Sequence, residues 1–70
     1  MGIVAWNMRR LMKEQGIEKG WLAWRLGFTE DELLNTLLGK KRILAVDIPK
    51  IARALRVLPS ELFESEDFTG

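Results

Sequence analysis

The chain has 70 residues, of which 47% are apolar and 30% charged, and its 11 Lys and Arg against 10 Asp and Glu give a net charge of +1. This length predicts one domain over 1–70, with an ordered core over about 4–64 and an acidic tail over 65–70. Because Cys and His are both absent, thiolate and imidazole metal sites are excluded, as is catalysis by either side chain. The sequence therefore predicts a protein that is not an enzyme and that binds no metal and no cofactor.

The signals of a membrane or secreted protein are also missing. No apolar run approaches the roughly 20 residues that cross a bilayer. The start, 1–6, has no basic segment ahead of its apolar residues and no small-residue cleavage site, so no signal peptide is expected. The expectation is a cytoplasmic protein without a membrane partner, and the lack of cysteine fits a reducing compartment.

Two helices are predicted in the first part of the chain. Apolar residues recur at helical spacing over about 4–15, and Gly16 follows as a left-handed cap. The same period returns over about 18–26 and stops at Gly27. The apolar positions that carry this period are Trp6, Met8, Leu11, Met12, Trp21, Leu22 and Leu26.

A third helix is predicted to begin after Thr29, which is a favourable N-cap residue. Glu32 follows three residues later and completes the pattern of a capping box, in which two side chains satisfy two free amides at the helix start. Leu33 and Leu37 lie one helical turn apart on the inner face, and Gly39 ends the helix.

The last part of the chain predicts two more helices. One begins near Val46, keeps Pro49 in its first turn and ends at about Arg56, where a glycine would cap at lower cost. A short helix then covers about 59–64. The predicted fold class is therefore all-α with five short helices. The predicted core consists of Trp6, Met8, Leu11, Leu22, Ala23, Leu33, Leu37, Ile48, Ile51, Leu55, Leu62 and Phe63.

The second and third helices have the pattern of a helix-turn-helix motif. Ala23 supplies a small side chain where two steeply crossing helices approach, and Gly27 tolerates the positive φ that the corner needs. The runs around this motif are WNMRRLMKEQGI, WLAWRLGFTEDELLNTLLGKKR and DIPKIARALRVLPSELFE. Together they resemble the Cro and lambda-repressor-like helix-turn-helix family across about residues 4–64.

This resemblance implies a sequence-specific, repressor-like transcriptional regulator that binds double-stranded DNA as a homodimer on a two-fold operator, with helix 3 in the major groove. It implies that four residues of that helix face base edges or the sugar-phosphate chain, namely Thr29, Glu30, Asp31 and Asn35. It also implies phosphate contacts by Lys19, where the family usually carries Gln, and by the basic loop Lys40, Lys41 and Arg42. The alternative for the loop is an ordinary solvated surface.

Helix 3 departs from the family in its charge. Members often begin this helix with Arg, Gln, Ser or Lys, whereas here its first turn is Glu30, Asp31 and Glu32. Three carboxylates near DNA phosphates are expected to repel them and to weaken binding. The alternative is that these acids serve only to cap the helix.

A second departure is apolar surface on helices 2 and 3. Four residues there predict an exposed patch, which usually marks a protein interface: Trp21, Trp24, Leu34 and Leu38. The alternative function is a helix-turn-helix scaffold repurposed, by evolution or by design, as a protein-binding module. The competing interpretation is that Trp24 folds onto Arg25 or helix 1 and that the leucines cover Ile43 or Leu44.

Overall fold

The computed structural model describes residues 2–65, and these residues form helices and no strand. Four α-helices come first, and a 3₁₀ helix closes the described chain: α1 (Ile3–Gln15), α2 (Lys19–Leu26), α3 (Glu30–Leu37), α4 (Asp47–Leu55) and the 3₁₀ helix (Pro59–Phe63). The all-α prediction is confirmed, with the correction that the fifth element is a 3₁₀ helix. The predicted acidic tail lies, apart from Ser65, outside the described residues.

Helix ends fall within about one residue of the predicted positions because the signals that end a helix are local. Gly27 caps α2 in the left-handed region at φ 75°, and its amide donates to the carbonyl of Trp24 at 3.2 Å. Arg56 caps α4 in the same region at φ 59°, and it is the one non-glycine residue with positive φ in the described chain. A side chain there costs about 0.5 to 1 kcal/mol relative to glycine.

One apolar core joins all the helices, and most of the predicted core residues belong to it. The fully buried large side chains include Met8, Leu22, Leu33, Ile51, Leu55 and Leu62. The buried apolar residues that the predicted core left out are Ala5, Met12, Leu26, Ala52 and Ala54. The apolar period was thus assigned correctly, and the small residues fill the close contacts between helices.

The core prediction is wrong for Trp6 and Phe63, which are 37% and 53% exposed, and Ile48 is only half-buried. Ala5 and Met8 occupy the buried face of α1. Trp6 therefore points toward the edge of that face, where it is partly exposed to solvent. A 3₁₀ helix turns 120° per residue, so an inward Leu62 directs Phe63 away from the core.

Two uncharged amide side chains of α1 tie this helix to the last third of the chain. Asn7 is fully buried, and its Nδ2 donates to the carbonyls of Leu62 and Glu64, both at 2.8 Å. Gln15 Nε2 donates to the carbonyl of Leu55 at 2.6 Å. A buried polar group without such partners would cost about 1 to 3 kcal/mol, so Asn7 fixes where the chain passes after the 3₁₀ helix.

Leu33→Ala is expected to lower the free energy of unfolding by about 2 to 5 kcal/mol, because it leaves a cavity where a fully buried side chain stood. Urea denaturation followed by far-UV circular dichroism measures the change. The milder Leu33→Met should cost less than about 1.5 kcal/mol and keeps the test usable if the alanine variant is unfolded. A cost below about 0.5 kcal/mol for the alanine variant would contradict the packing of α3.

Candidate nucleic-acid interface

Backbone hydrogen bonds form the corner between α2 and α3, and the small residue Ala23 is buried beneath it. The amide of Phe28 donates to the carbonyl of Ala23 at 2.9 Å, one residue after the left-handed Gly27. Ala23 itself is 3% exposed and belongs to the buried core cluster. The two helices therefore meet as a helix-turn-helix, with α3 held on the surface by α2 and α1.

The first turn of α3 contains the predicted capping box. Thr29 Oγ1 accepts the amide hydrogen of Glu32 at 3.0 Å, and Glu32 Oε1 accepts the amide hydrogen of Thr29 at 2.8 Å. Two of the four amides that a helix start leaves without a partner are thereby satisfied. The Glu32 carboxylate therefore caps α3, and its charge is partly offset by the backbone amide that donates to it.

The other two acids of this turn have different surroundings. Glu30 is exposed, and its Oε2 lies 3.5 Å from the point where a Cβ on Gly20 would stand, so its carboxylate rests against the first turn of α2. That turn has no side-chain cap, and a negative charge beside a helix N-terminus is favourable. Asp31 is exposed and has no side-chain hydrogen bond with any residue of 2–65. The sequence predicted the capping role of Glu32, and the structure adds the different surroundings of Glu30 and Asp31.

The outward face of α3 carries the predicted base-reading residues together with a leucine. Thr36 turns inward and its hydroxyl donates to the carbonyl of Glu32 at 2.8 Å, while Leu33 and Leu37 are buried. Every other position of the helix is exposed to solvent, and these positions are Glu30, Asp31, Glu32, Leu34 and Asn35. The structure thus brings Glu30, Asp31 and Asn35 onto one exposed surface.

The basic loop folds back onto the end of α3. The amides of Lys40 and Lys41 both donate to the carbonyl of Asn35, at 2.8 and 3.2 Å. Lys41 Nζ lies 4.6 Å from the centre of the Phe28 ring, which is the distance of a cation–π contact. Lys40 and Arg42 are exposed, and neither pairs with a carboxylate of residues 2–65. Two loop cations therefore face solvent, while Lys41 also braces the corner of the motif.

Lys19, the first residue of α2, borders a groove of about 400 Å³ between α1 and α3, here called the α1/α3 groove. The groove also contains Leu34 and Leu38. Its complete lining is Arg9, Met12, Lys13, Gly16, Ile17, Lys19, Leu34, Leu37 and Leu38. Sequence reasoning did not select Arg9 and Lys13, although their i, i+4 spacing puts both on one face of α1.

The four apolar residues predicted to form a patch are all exposed but do not share a groove. Trp24 is 75% exposed and lines a groove with Arg25, Lys50 and Arg53. Trp21, 45% exposed, lines a separate groove with α4. Leu34 and Leu38, 40% and 46% exposed, lie together in the α1/α3 groove. The apolar surface is therefore divided among three places.

No group of three or more Asp, Glu, His or Cys residues among residues 2–65 has the arrangement to hold a metal ion. In the same part of the chain, no helix combines the length and apolar character that a membrane crossing requires.

The model of the Cro/C1-type helix-turn-helix DNA-binding domain matches residues 7–67, which is most of the chain. The chain belongs to the Cro/C1-type family. No curated protein and no solved structure matches it significantly. The resemblance seen in the sequence is confirmed, and this Cro/C1-type domain is a DNA-binding domain whose partner is DNA.

Thr29→Ala is expected to lower the free energy of unfolding by about 1 kcal/mol, because it removes the side-chain oxygen that caps α3. Thr29→Ser keeps that oxygen and should be nearly neutral. Urea denaturation of both variants gives the comparison. Equal losses for the two variants would show that the methyl group, and not the cap, is what matters.

Proposed function

We propose that the protein is a sequence-specific, repressor-like transcriptional regulator that places α3 in the major groove of double-stranded DNA. The observation that carries the proposal is the exposed polar face of α3 with a basic loop hydrogen-bonded to its last turn. An α-helix fits the major groove, and cations beside it can meet the phosphates while its side chains meet base edges. The family supports DNA as the partner.

The side chains suggest a role for each position. The Asn35 amide can donate to and accept from adenine. Glu30 and Asp31 can only accept, so they cannot pair with the acceptor edge of guanine, and the major-groove donors open to them are the amino groups of cytosine and adenine. Lys19, Lys40 and Arg42 are the phosphate contacts, and they add affinity without reading sequence. The Thr29 hydroxyl caps α3 as an acceptor and keeps its own hydrogen for a phosphate or base oxygen.

The proposed active form on DNA is a homodimer. Two copies of α3 related by a two-fold axis would enter successive major grooves about 34 Å apart, so the operator would be palindromic. A regulator of this kind acts where the chromosome lies, and it needs neither catalysis nor a cofactor.

Replacing Lys40 and Arg42 by Gln should weaken binding to all duplexes alike, because both cations are proposed to neutralise phosphates. The slope of log K against log salt should fall by roughly one unit for each phosphate that is no longer neutralised. Fluorescence anisotropy with labelled duplex at two or more salt concentrations measures both quantities. Lys41 is left in place because its contact with Phe28 gives it a structural role.

The matched control for this experiment is Lys50→Gln with Arg53→Gln, which removes the same charge from exposed positions on α4. This control should leave the salt slope nearly unchanged. Equal slopes for the two double variants would remove the loop from the interface. A wild-type chain whose affinity for duplex DNA does not depend on salt would overturn the proposed function itself.

Glu30→Gln with Asp31→Ser should raise DNA affinity roughly two- to fivefold at low salt, since two repulsive charges leave the interface. Glu32 is kept because its carboxylate caps α3. Glu64→Gln, an exposed acid outside the helix-turn-helix, should have a much smaller effect. A fall in affinity for the double variant would mean that the acids read amino groups of cytosine or adenine.

A second candidate function, a protein-binding module, is favoured by one observation, the exposed pair Leu34 and Leu38. An exposed leucine pair on the DNA-facing helix gains nothing from phosphates, and it is suited to an apolar partner surface. The two functions make use of the same helix, and they need not exclude each other in one protein.

A further inference from the structure

The α1/α3 groove combines an apolar floor with a positively charged rim. Leu34 and Leu38 stand one helical turn apart along its α3 side, with Leu37 buried between them and Met12 buried opposite. Both exposed leucines leave close to half of their surface in solvent. A groove of about 400 Å³ with this floor can take the apolar side chains of a partner.

The rim of the groove is made of cations alone. Arg9 and Lys13 stand one turn apart on α1, and Lys19 closes the groove from the start of α2. No carboxylate of residues 2–65 belongs to the lining. Arg9 and Lys13 on α1 have i, i+4 spacing, and so do Leu34 and Leu38, so the groove has charge on its α1 side and leucine on its α3 side.

Duplex DNA alone does not complement both parts of this groove. Phosphates can meet the cations of the rim, but they offer no apolar surface to cover Leu34 and Leu38. A segment that carries carboxylates on one flank and apolar side chains on the next complements both. An amphipathic helix has that arrangement, and helices that lie in apolar grooves are a common mode of peptide recognition.

We propose that the α1/α3 groove binds an acidic amphipathic helix of a partner protein and that this partner excludes DNA. The leucines of the floor receive its apolar face, and Lys13 and Lys19 of the rim pair with its carboxylates. Exclusion follows because Lys19 and the outward face of α3 belong to the proposed DNA interface. This part of the inference rests on the proposed function, and the binding of the helix to the groove does not.

The probe for the test is a fluorescein-labelled helical peptide of about 15 residues, a length at which an isolated helix begins to be stable. It carries Leu at i, i+4 positions on one face and Glu on the flanking positions. A second peptide has Lys in place of every Glu. Anisotropy titrations use the full chain without DNA. The acidic peptide should bind, and the basic peptide should bind at least about tenfold more weakly, because its lysines are repelled by the cations of the rim.

Variants then locate the binding. Leu34→Ser with Leu38→Ser should reduce affinity for the acidic peptide at least about tenfold, since buried apolar anchors carry most interface energy. Leu44→Ser with Val46→Ser, exposed positions outside the groove, is the matched control and should leave peptide affinity unchanged. Circular dichroism of each variant establishes that it is folded before its affinity is compared.

Lys13→Gln tests the rim without touching the floor. This variant should lower the affinity for the acidic peptide about two- to fivefold, as expected for the loss of one exposed charge pair. Unlabelled duplex DNA, added to the complex of chain and peptide, should release the peptide. A complex that binds duplex and peptide at once would overturn the exclusion.

The failures of this inference and of the proposed function are separable. A chain that binds duplex DNA but not the acidic peptide overturns the inference and leaves the proposed function standing. Peptide binding that survives Leu34→Ser with Leu38→Ser also overturns it, because the peptide then binds elsewhere. Salt-independent DNA affinity, with peptide binding intact in the groove, counts against the proposed function and the exclusion that rests on it, and it leaves the binding of the helix to the groove standing.

Two other occupants of the groove give distinct results. If light scattering finds a wild-type dimer that Leu34→Ser with Leu38→Ser converts to a monomer, the groove belongs to a second copy of the chain. If Glu66→Gln with Asp67→Asn strengthens peptide binding about tenfold or more, the groove belongs to the chain's own acidic end. Either result would replace the partner helix proposed here.

Discussion

The left-handed turn at Gly27 is the constraint on which the candidate interface depends. Its φ of 75° lets the amides of Gly27 and Phe28 close α2, and α3 then begins three residues later, at Glu30. With eight residues, α3 is far shorter than a helix that is stable in isolation, so its existence depends on this corner and on packing. The corner therefore decides which residues of α3 are buried and which are presented to a partner.

Local signals were enough to predict most of the fold. The caps at Gly16 and Gly27 and the capping box of Thr29 with Glu32 involve neighbours in sequence, so they can be recognised without knowing the tertiary structure. The environment of Asn7 could not be predicted, because its partner Leu62 is 55 residues away. Trp6 was misplaced for a similar reason, since only the packing of α1 decides which of its faces is covered.

The candidate site was predictable in composition but not in arrangement. Residue types selected the exposed positions of α3 and the basic loop correctly as surface. The sequence could not show that Glu30 rests on α2 or that Lys41 lies over Phe28. The grouping of Arg9 and Lys13 with Lys19 brings together two helices, and only the folded chain shows it.

The amide side chains of Asn7 and Gln15 tie α1 to the last third of the chain through contacts that do not depend on ionic strength. Asn7 and Gln15 carry no charge, so neither salt nor moderate changes in pH alter their hydrogen bonds to backbone carbonyls. Attraction between Lys or Arg side chains and phosphates is, in contrast, screened within about 10 Å at 0.1 M salt. A rise in salt can therefore release the domain from a polyanion in its folded form, ready to bind again without refolding.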